Sequence, residues 1–197
     1  GQFQKEFILK SLDQESLIKF NLLKKDNMRL RKILSLQESS NNDIISAAVI
    51  SRKTGSWWRQ ILLNKGSKDG VEIGSTVVGP GGLLGRVKNT SLFTSSVTLL
   101  TSPESKVGVW VDRIKIHGLL VGIGDDFPSL ILYSKDADIK VGDFVSSSPA
   151  STLLPPNIPI GIVQSVEEPF KTKKTAKISL LAKPHAIDWV QILKVKS

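Results

Sequence analysis

The sequence predicts a mainly β protein, in which a long N-terminal α-helix is followed by two small β-barrels of the six-stranded type. Three observations predict it. From Gln2 to about Gln37 there is neither proline nor glycine, and apolar residues recur at helical spacing. Beyond Ser39-Ser40-Asn41-Asn42, short stretches rich in Ile, Leu and Val are separated by glycine-containing turns. Two portions of this second region read as copies of one design. Val71-Glu72-Ile73-Gly74-Ser75-Thr76-Val77 aligns with Ile139-Lys140-Val141-Gly142-Asp143-Phe144-Val145, and Leu84-Gly85-Arg86-Val87 aligns with Ile160-Gly161-Ile162-Val163.

The helix, assigned to residues 1–38, would be roughly 50 Å long at about 1.5 Å per residue. Its second half carries a heptad in which Phe20, Leu23, Asn27, Leu30 and Leu34 alternate at four-three spacing, with Asn27 at an a position. A buried Asn at a satisfies its amide against a partner Asn in register, so the seam predicts a parallel homodimer. Leu9, Leu12 and Ser16 continue it if a stutter separates Leu12 from Phe20. The competing expectation is that the helix packs on its own domain, because only two heptads are clean.

A polar linker, 39–43, leads to the strands. Those expected are 44–50, 57–63, 76–78, 83–87, 96–100, 107–111, 116–121, 130–133, 144–146, 160–166, 176–181 and 189–195. Between the second and third, Lys65-Gly66-Ser67-Lys68-Asp69-Gly70 is dense in turn formers, and Asp69-Gly70 is a hairpin signal. Gly74, Gly79 and Gly81-Gly82 punctuate the next two strands.

Composition narrows function. With 197 residues the chain can bury a core, and at 40% hydrophobic but 6% aromatic residues that core is aliphatic. There is no cysteine, which excludes disulfides and thiolate chemistry. No apolar stretch reaches the roughly 20 residues of a membrane span. The net charge of +9 is concentrated at the ends: residues 1–34 hold eight Lys/Arg against four Asp/Glu, residues 171–197 seven against one, and the middle is nearly neutral. Such basic segments are drawn to anionic headgroups or anionic polymers, or simply keep a solvated face.

No catalytic, metal or cofactor signature is present. His117, with Asp112 upstream, and His185, with Asp188 downstream, lack a serine in a Gly-x-Ser-x-Gly or Gly-Asp-Ser-Gly context. Asp125-Asp126 and Asp136-x-Asp138 lack metal-ligand spacing, and Gly79-Pro80-Gly81-Gly82 precedes a strand rather than a helix. Trp57-Trp58-Arg59 with Arg52 and Lys53 could suit single-stranded nucleic acid, but the neutral middle of the chain argues against that partner. Exposed Trp would equally stack on sugars, so a β-barrel module that binds a glycan directly is a second reading. Trp57 and Trp58 alternate along one expected strand, which predicts that one faces inward and the other outward.

Several motifs occur together: Ala47-x-Val49-Ile50, Trp57-Trp58, Leu63-Asn64-Lys65-Gly66-Ser67-x-Asp69-Gly70-Val71 and Gly82-Leu83-Leu84-Gly85-Arg86-Val87. Asp138 to Val145 and Pro156-x-x-Pro159-Ile160-Gly161-Ile162-Val163 follow. In this order they resemble the extracytoplasmic domain of the MreC family, rod-shape-determining scaffolds of the bacterial cell-elongation machinery. The sequence departs at Ser146-Ser147-Ser148-Pro149, where the family usually has a Thr-Ser-Gly-like turn. The resemblance implies that the second barrel is inserted in the first, placing 44–102 with 185–197 and leaving 103–184 as the second barrel. It implies a non-enzymatic scaffold on the periplasmic side of the cytoplasmic membrane, held by a transmembrane helix ahead of this segment. Its implied partners are a second copy, possible filaments of copies, a class B penicillin-binding protein transpeptidase, MreD, RodA and MreB. Aromatics make disproportionate interface anchors, so Phe127, Tyr133 and Phe144, with Trp57 and Trp58, are the candidate partner-binding residues.

Overall fold

The computed structural model describes residues 1–33, 44–55 and 58–194, with the side chains of 31–33 excepted. Leu34, the linker 39–43 and Trp57 lie outside the described residues. Two compact units result, residues 1–41 and 42–197. In the first, α1 (Gln2–Ile33) is one uninterrupted helix, and every side chain from residue 1 to residue 30 is exposed. At about 100° per residue, Phe20, Leu23, Asn27 and Leu30 share a stripe about 80° wide.

The second unit is two closed six-stranded barrels, as the glycine-punctuated apolar stretches predict. One is formed by β1 (Ile44–Thr54), β2 (Arg59–Leu63), β3 (Thr76–Gly79), β4 (Gly82–Thr90), β5 (Ser95–Leu99) and β12 (Trp189–Leu193). The other is formed by β6 (Lys106–Val111), β7 (Ile116–Val121), β8 (Ser129–Leu132), β9 (Phe144–Ser147), β10 (Pro159–Val166) and β11 (Lys174–Leu180). Around the rings the orders are β1-β12-β3-β4-β5-β2 and β10-β11-β8-β7-β6-β9, every pair antiparallel. Thus β12 closes the first barrel, and the second is an insertion between β5 and β12. Alternation fills each interior: Ser95, Val97 and Leu99 of β5 point inward, as do Ala176, Ile178 and Leu180 of β11.

Superposing the orders matches β1–β5 and β12 with β7–β11 and β6, so the second barrel is a circularly permuted copy of the first. The copying extends to single hydrogen bonds. Gly74 and Gly142 take φ of 89° and 92°, a conformation glycine adopts without penalty. Their N–H groups donate to Val87 and Val163 at 2.8 and 2.9 Å, and those valines donate back to Ser75 and Asp143 at 2.9 Å each. The bulges also coincide: Val77–Gly85 shifts to Val78–Leu83 as Val145–Gly161 shifts to Ser146–Pro159. At Gly85 and Gly161 a side chain would run into the backbone of the neighbouring strand, at the carbonyls of Thr98 and Ser179.

Two local expectations are corrected. Asp69-Gly70 does not turn a hairpin, since β2 pairs with β1 and β5 and never with β3. Instead Ser67–Asp69 is a 3₁₀ turn ended by Gly70 at φ 89°, and the Asp69 carboxylate accepts a hydrogen bond from the Gly66 N–H at 3.0 Å. The strand expected from Trp57 begins at Arg59. The glycine-free Ser146-Ser147-Ser148 segment is buried, and its hydroxyls supply what a flexible turn would not need. Ser147 Oγ donates to the Pro155 carbonyl at 2.6 Å and accepts from Ile158 N–H at 2.8 Å. Ser146 Oγ donates to Asp112 at 2.6 Å and accepts from the Trp110 indole at 3.2 Å.

The barrels are fused at one rim of the second. Leu83, on a first-barrel strand, is fully buried in the second barrel's core. Arg59 pairs with Asp126 at 2.8 Å, Lys88 with Glu104 at 2.7 Å, and Gly124 N–H donates to the Thr101 carbonyl at 3.0 Å. The opposite rim is therefore distal.

Candidate partner-binding surface

Three connections meet at this distal rim: residues 112–115 between β6 and β7, 133–143 between β8 and β9, and 167–173 between β10 and β11. With the first residue of β9 they expose Tyr133 (62%), Val141 (67%), Phe144 (41%) and Phe170 (72%). Lys173 Nζ stands 5.4 Å from the centre of the Tyr133 ring, and Lys171 Nζ the same distance from Phe170. Phe170 is held out by a two-residue turn. Phe170 and Lys173 exchange backbone hydrogen bonds of 2.9 and 3.0 Å across Lys171-Thr172, and Lys171 takes φ of 56°, as tight hairpin turns demand.

A charged clamp fixes the connection that carries Tyr133 and Val141 and leads into Phe144. Arg113, in the β6–β7 turn, gives Nε and Nη2 to the two carboxylate oxygens of Asp143 at 2.7 and 2.9 Å. Its Nη2 also donates to the Asp138 carbonyl, and Nη1 reaches the Asp138 carboxylate at 3.4 Å. Asp143, whose side chain is only 6% exposed, further accepts from the Lys140 N–H at 2.8 Å. A bidentate, charge-assisted pair of this kind fixes direction as well as distance. The Arg113 guanidinium beside it holds the Asp143 carboxyl below its ordinary value, although partial burial opposes the shift. The clamp thus ties the 133–143 connection to the β6–β7 turn.

The structure divides the expected site residues. Tyr133 and Phe144 share the distal rim. Phe127 lies at the other end of the barrel, half-buried beside Asp126 at the junction, with its N–H donating to Asp125 at 2.8 Å. Trp58 is 61% exposed, with Lys88 Nζ 5.9 Å from its ring. Phe20, Leu23, Asn27 and Leu30 are exposed on α1. Phe170 and Val141 escaped the sequence reading. For Phe170 a signal existed, because Pro169-Phe170-Lys171-Thr172-Lys173-Lys174 sets an aromatic inside a turn-forming basic run. The Arg113–Asp143 pair has no local signal.

His117 Nδ1 lies 2.8 Å from Ser148 Oγ, but Asp112 binds Ser146 rather than the imidazole, and Ser148 is buried. Asp188, near His185, pairs with Arg52 at 2.9 Å. Among the described residues no cluster of three or more His, Asp or Glu could hold a metal ion, and no helix is long and apolar enough to cross a membrane.

Comparison with known proteins agrees with this architecture. The cell shape-determining protein MreC of Listeria monocytogenes is 32% identical over 179 residues, which are 87% of this chain and 61% of that protein. The chain therefore spans less than two thirds of that relative's length. A solved structure of MreC from Listeria monocytogenes superposes with a TM-score of 0.81 at 31% identity, covering 100% of this chain and 96% of that one. At 17% identity, with a TM-score of 0.64 and covering 78% of this chain and 98% of that one, a structure of a complex between penicillin-binding protein PBP2 and MreC from Helicobacter pylori shares the fold. The family model described as "Rod shape-determining protein MreC, barrel core" matches residues 49–194, and the chain belongs to that family.

Proposed function

We propose that this chain is the stalk and double barrel of a non-enzymatic, dimerising scaffold that positions peptidoglycan synthases during lateral wall growth. The observation that carries this reading is the distal rim, where Tyr133, Val141 and Phe144 stand exposed along a segment held by the Arg113–Asp143 clamp, with Phe170 exposed on the neighbouring β10–β11 turn. Exposed apolar side chains on a rigid frame are what an interface anchor requires. The Helicobacter pylori complex supports a penicillin-binding protein as the partner. MreD, RodA and MreB are further partners of the proposed assembly, which stands on the outer face of the cytoplasmic membrane through an anchoring segment.

In this reading α1 pairs two copies through Phe20, Leu23, Asn27 and Leu30, with Leu34 continuing the seam. The closed barrels leave no strand edges to offer, so recruitment falls to side chains on their rims. Because the chain has no cysteine, Asn27→Cys tests the pairing cleanly. A parallel seam brings the two sulfurs together, and mild oxidation yields a reducible dimer in most of the protein. A variant that stays monomeric under the same oxidation contradicts pairing through this seam. Glycan contact at the exposed Trp58 is the second reading.

A further inference from the structure

Away from the distal rim, the junction of the barrels contains a cleft of about 310 Å³. Its apolar floor includes the exposed Ile73 beside Val87, Leu100 and Val107, which are buried in the barrel cores, and its walls carry three cations, Arg86 and Lys88 on β4 and Lys106 on β6. Arg86 gives Nε to the Gly74 carbonyl at 3.3 Å, which leaves both terminal nitrogens of the guanidinium without a partner among the described residues. Lys106 likewise has no carboxylate partner among them. Lys88 is paired at 2.7 Å with Glu104, itself a lining residue. Among the described residues Glu104 is the one carboxylate that lines the cleft with these three cations.

We propose that the cleft binds a carboxylate carried by a short peptide segment, with the neighbouring aliphatic side chain on the apolar floor. A guanidinium fork beside an ammonium suits the planar, singly charged carboxylate. Glu104 stands within the same space and would oppose a dianionic phosphate more strongly than a monoanion. The volume is at the lower limit for small-ligand sites, about 300 Å³, and accommodates one or two residues. Since the walls come from both barrels, the occupant bridges them. Glu104 acts as an internal competitor, holding Lys88 until it is displaced.

The test titrates ¹⁵N-labelled protein with acetyl-Leu-Glu-amide, with acetyl-Leu-Ala bearing a free C-terminus, and with neutral acetyl-Leu-Gln-amide, while following Arg86 Nε–H and the Ser105 and Lys106 amides. Saturable shifts are expected in the range of about 1–10 mM with a charged peptide and not with the neutral one. The arm that binds more tightly distinguishes a side-chain from a terminal carboxylate. Arg86→Gln and Lys106→Gln should each weaken binding about tenfold. Lys106→Gln removes no hydrogen bond seen here, so it stands even if Arg86→Gln disturbs the Gly74 turn. Glu104→Gln should tighten binding about threefold by freeing Lys88, a gain that a purely structural pair would not produce. Lys53→Gln, on the exposed end of β1, should change nothing. Absence of saturation by about 20 mM, equal shifts with the neutral peptide, or weaker binding in Glu104→Gln would overturn the proposal.

Discussion

In the first barrel the residue after the turn glycine is Ser75, whose buried hydroxyl has no partner among the described residues; in the second it is Asp143, locked by Arg113 and the Lys140 N–H. The backbone hydrogen bonds around the two positions are the same. What differs is topology. Arg113 sits on the β6–β7 hairpin, and the matching strands of the first barrel, β12 and β1, come from opposite ends of the unit with no hairpin between them. The first barrel steadies its turn from within instead, through Arg86 on the Gly74 carbonyl. Circular permutation therefore gives the second barrel a clamp with no counterpart among the described residues of the first, on the rim that carries the exposed aromatics.

The sharpest way to break this pairing of barrels is at the glycines they share. Gly85→Ala places a methyl group into the Thr98 carbonyl, a backbone group that cannot swing aside, and should cost about 4 kcal/mol or more. Gly161→Ala meets the Ser179 carbonyl and a methyl of Ile178, both at 2.5 Å, a less severe approach than at Gly85, and should cost about 2–3 kcal/mol. Denaturant unfolding of the two variants ranks them directly; equal costs would mean that the closer approach at Gly85 is relieved by backbone movement.

Removing the clamp comes next. Asp143→Ala leaves the Lys140 N–H without its acceptor and should lower stability by about 2 kcal/mol. The pH dependence has a definite sign. The native carboxyl titrates below its ordinary value of 3.8, so its contribution is fully present above that value and is lost as pH falls through the depressed native one. Asp143→Asn should flatten this acid limb of the stability curve, and an unchanged limb would assign acid sensitivity to other carboxylates. The smallest effect belongs to Ser75→Ala, expected to be neutral or stabilising by about 0.5–1 kcal/mol because it removes a buried hydroxyl that bonds to nothing described. A clear loss of stability would reveal a partner for that hydroxyl.

The barrels were legible because their signals are local. Gly74 and Gly142 each mark a turn that any strand of this kind must make, and apolar alternation marks the strands on either side. The repeat between Val71–Val77 and Ile139–Val145 is realised in the same backbone hydrogen bonds around Gly74 and Gly142 for the same reason. Asp69-Gly70 misled because a two-residue signal says that the chain turns without saying which strand it returns to. The site was less legible. Tyr133 and Phe144 were identified as aromatics, but only strand order places Phe127 at the other end of the barrel. Arg113 and Asp143 meet across thirty positions, a separation no local pattern encodes. On the helix, Leu17, Ile18 and Leu22 are exposed alongside the seam, so apolar spacing alone does not single out the pairing stripe.

The central claim, that the clamped distal rim recruits a wall-synthesis enzyme, is tested most directly by titrating this protein against the purified extracytoplasmic part of the elongation penicillin-binding protein from the same cell. Saturable binding is expected, weakened about tenfold by Tyr133→Ala or Phe170→Ala and unchanged by Phe127→Ala at the junction. No binding by the intact protein at about 100 μM, where even a weak interface registers, or a loss confined to Phe127→Ala, would contradict it.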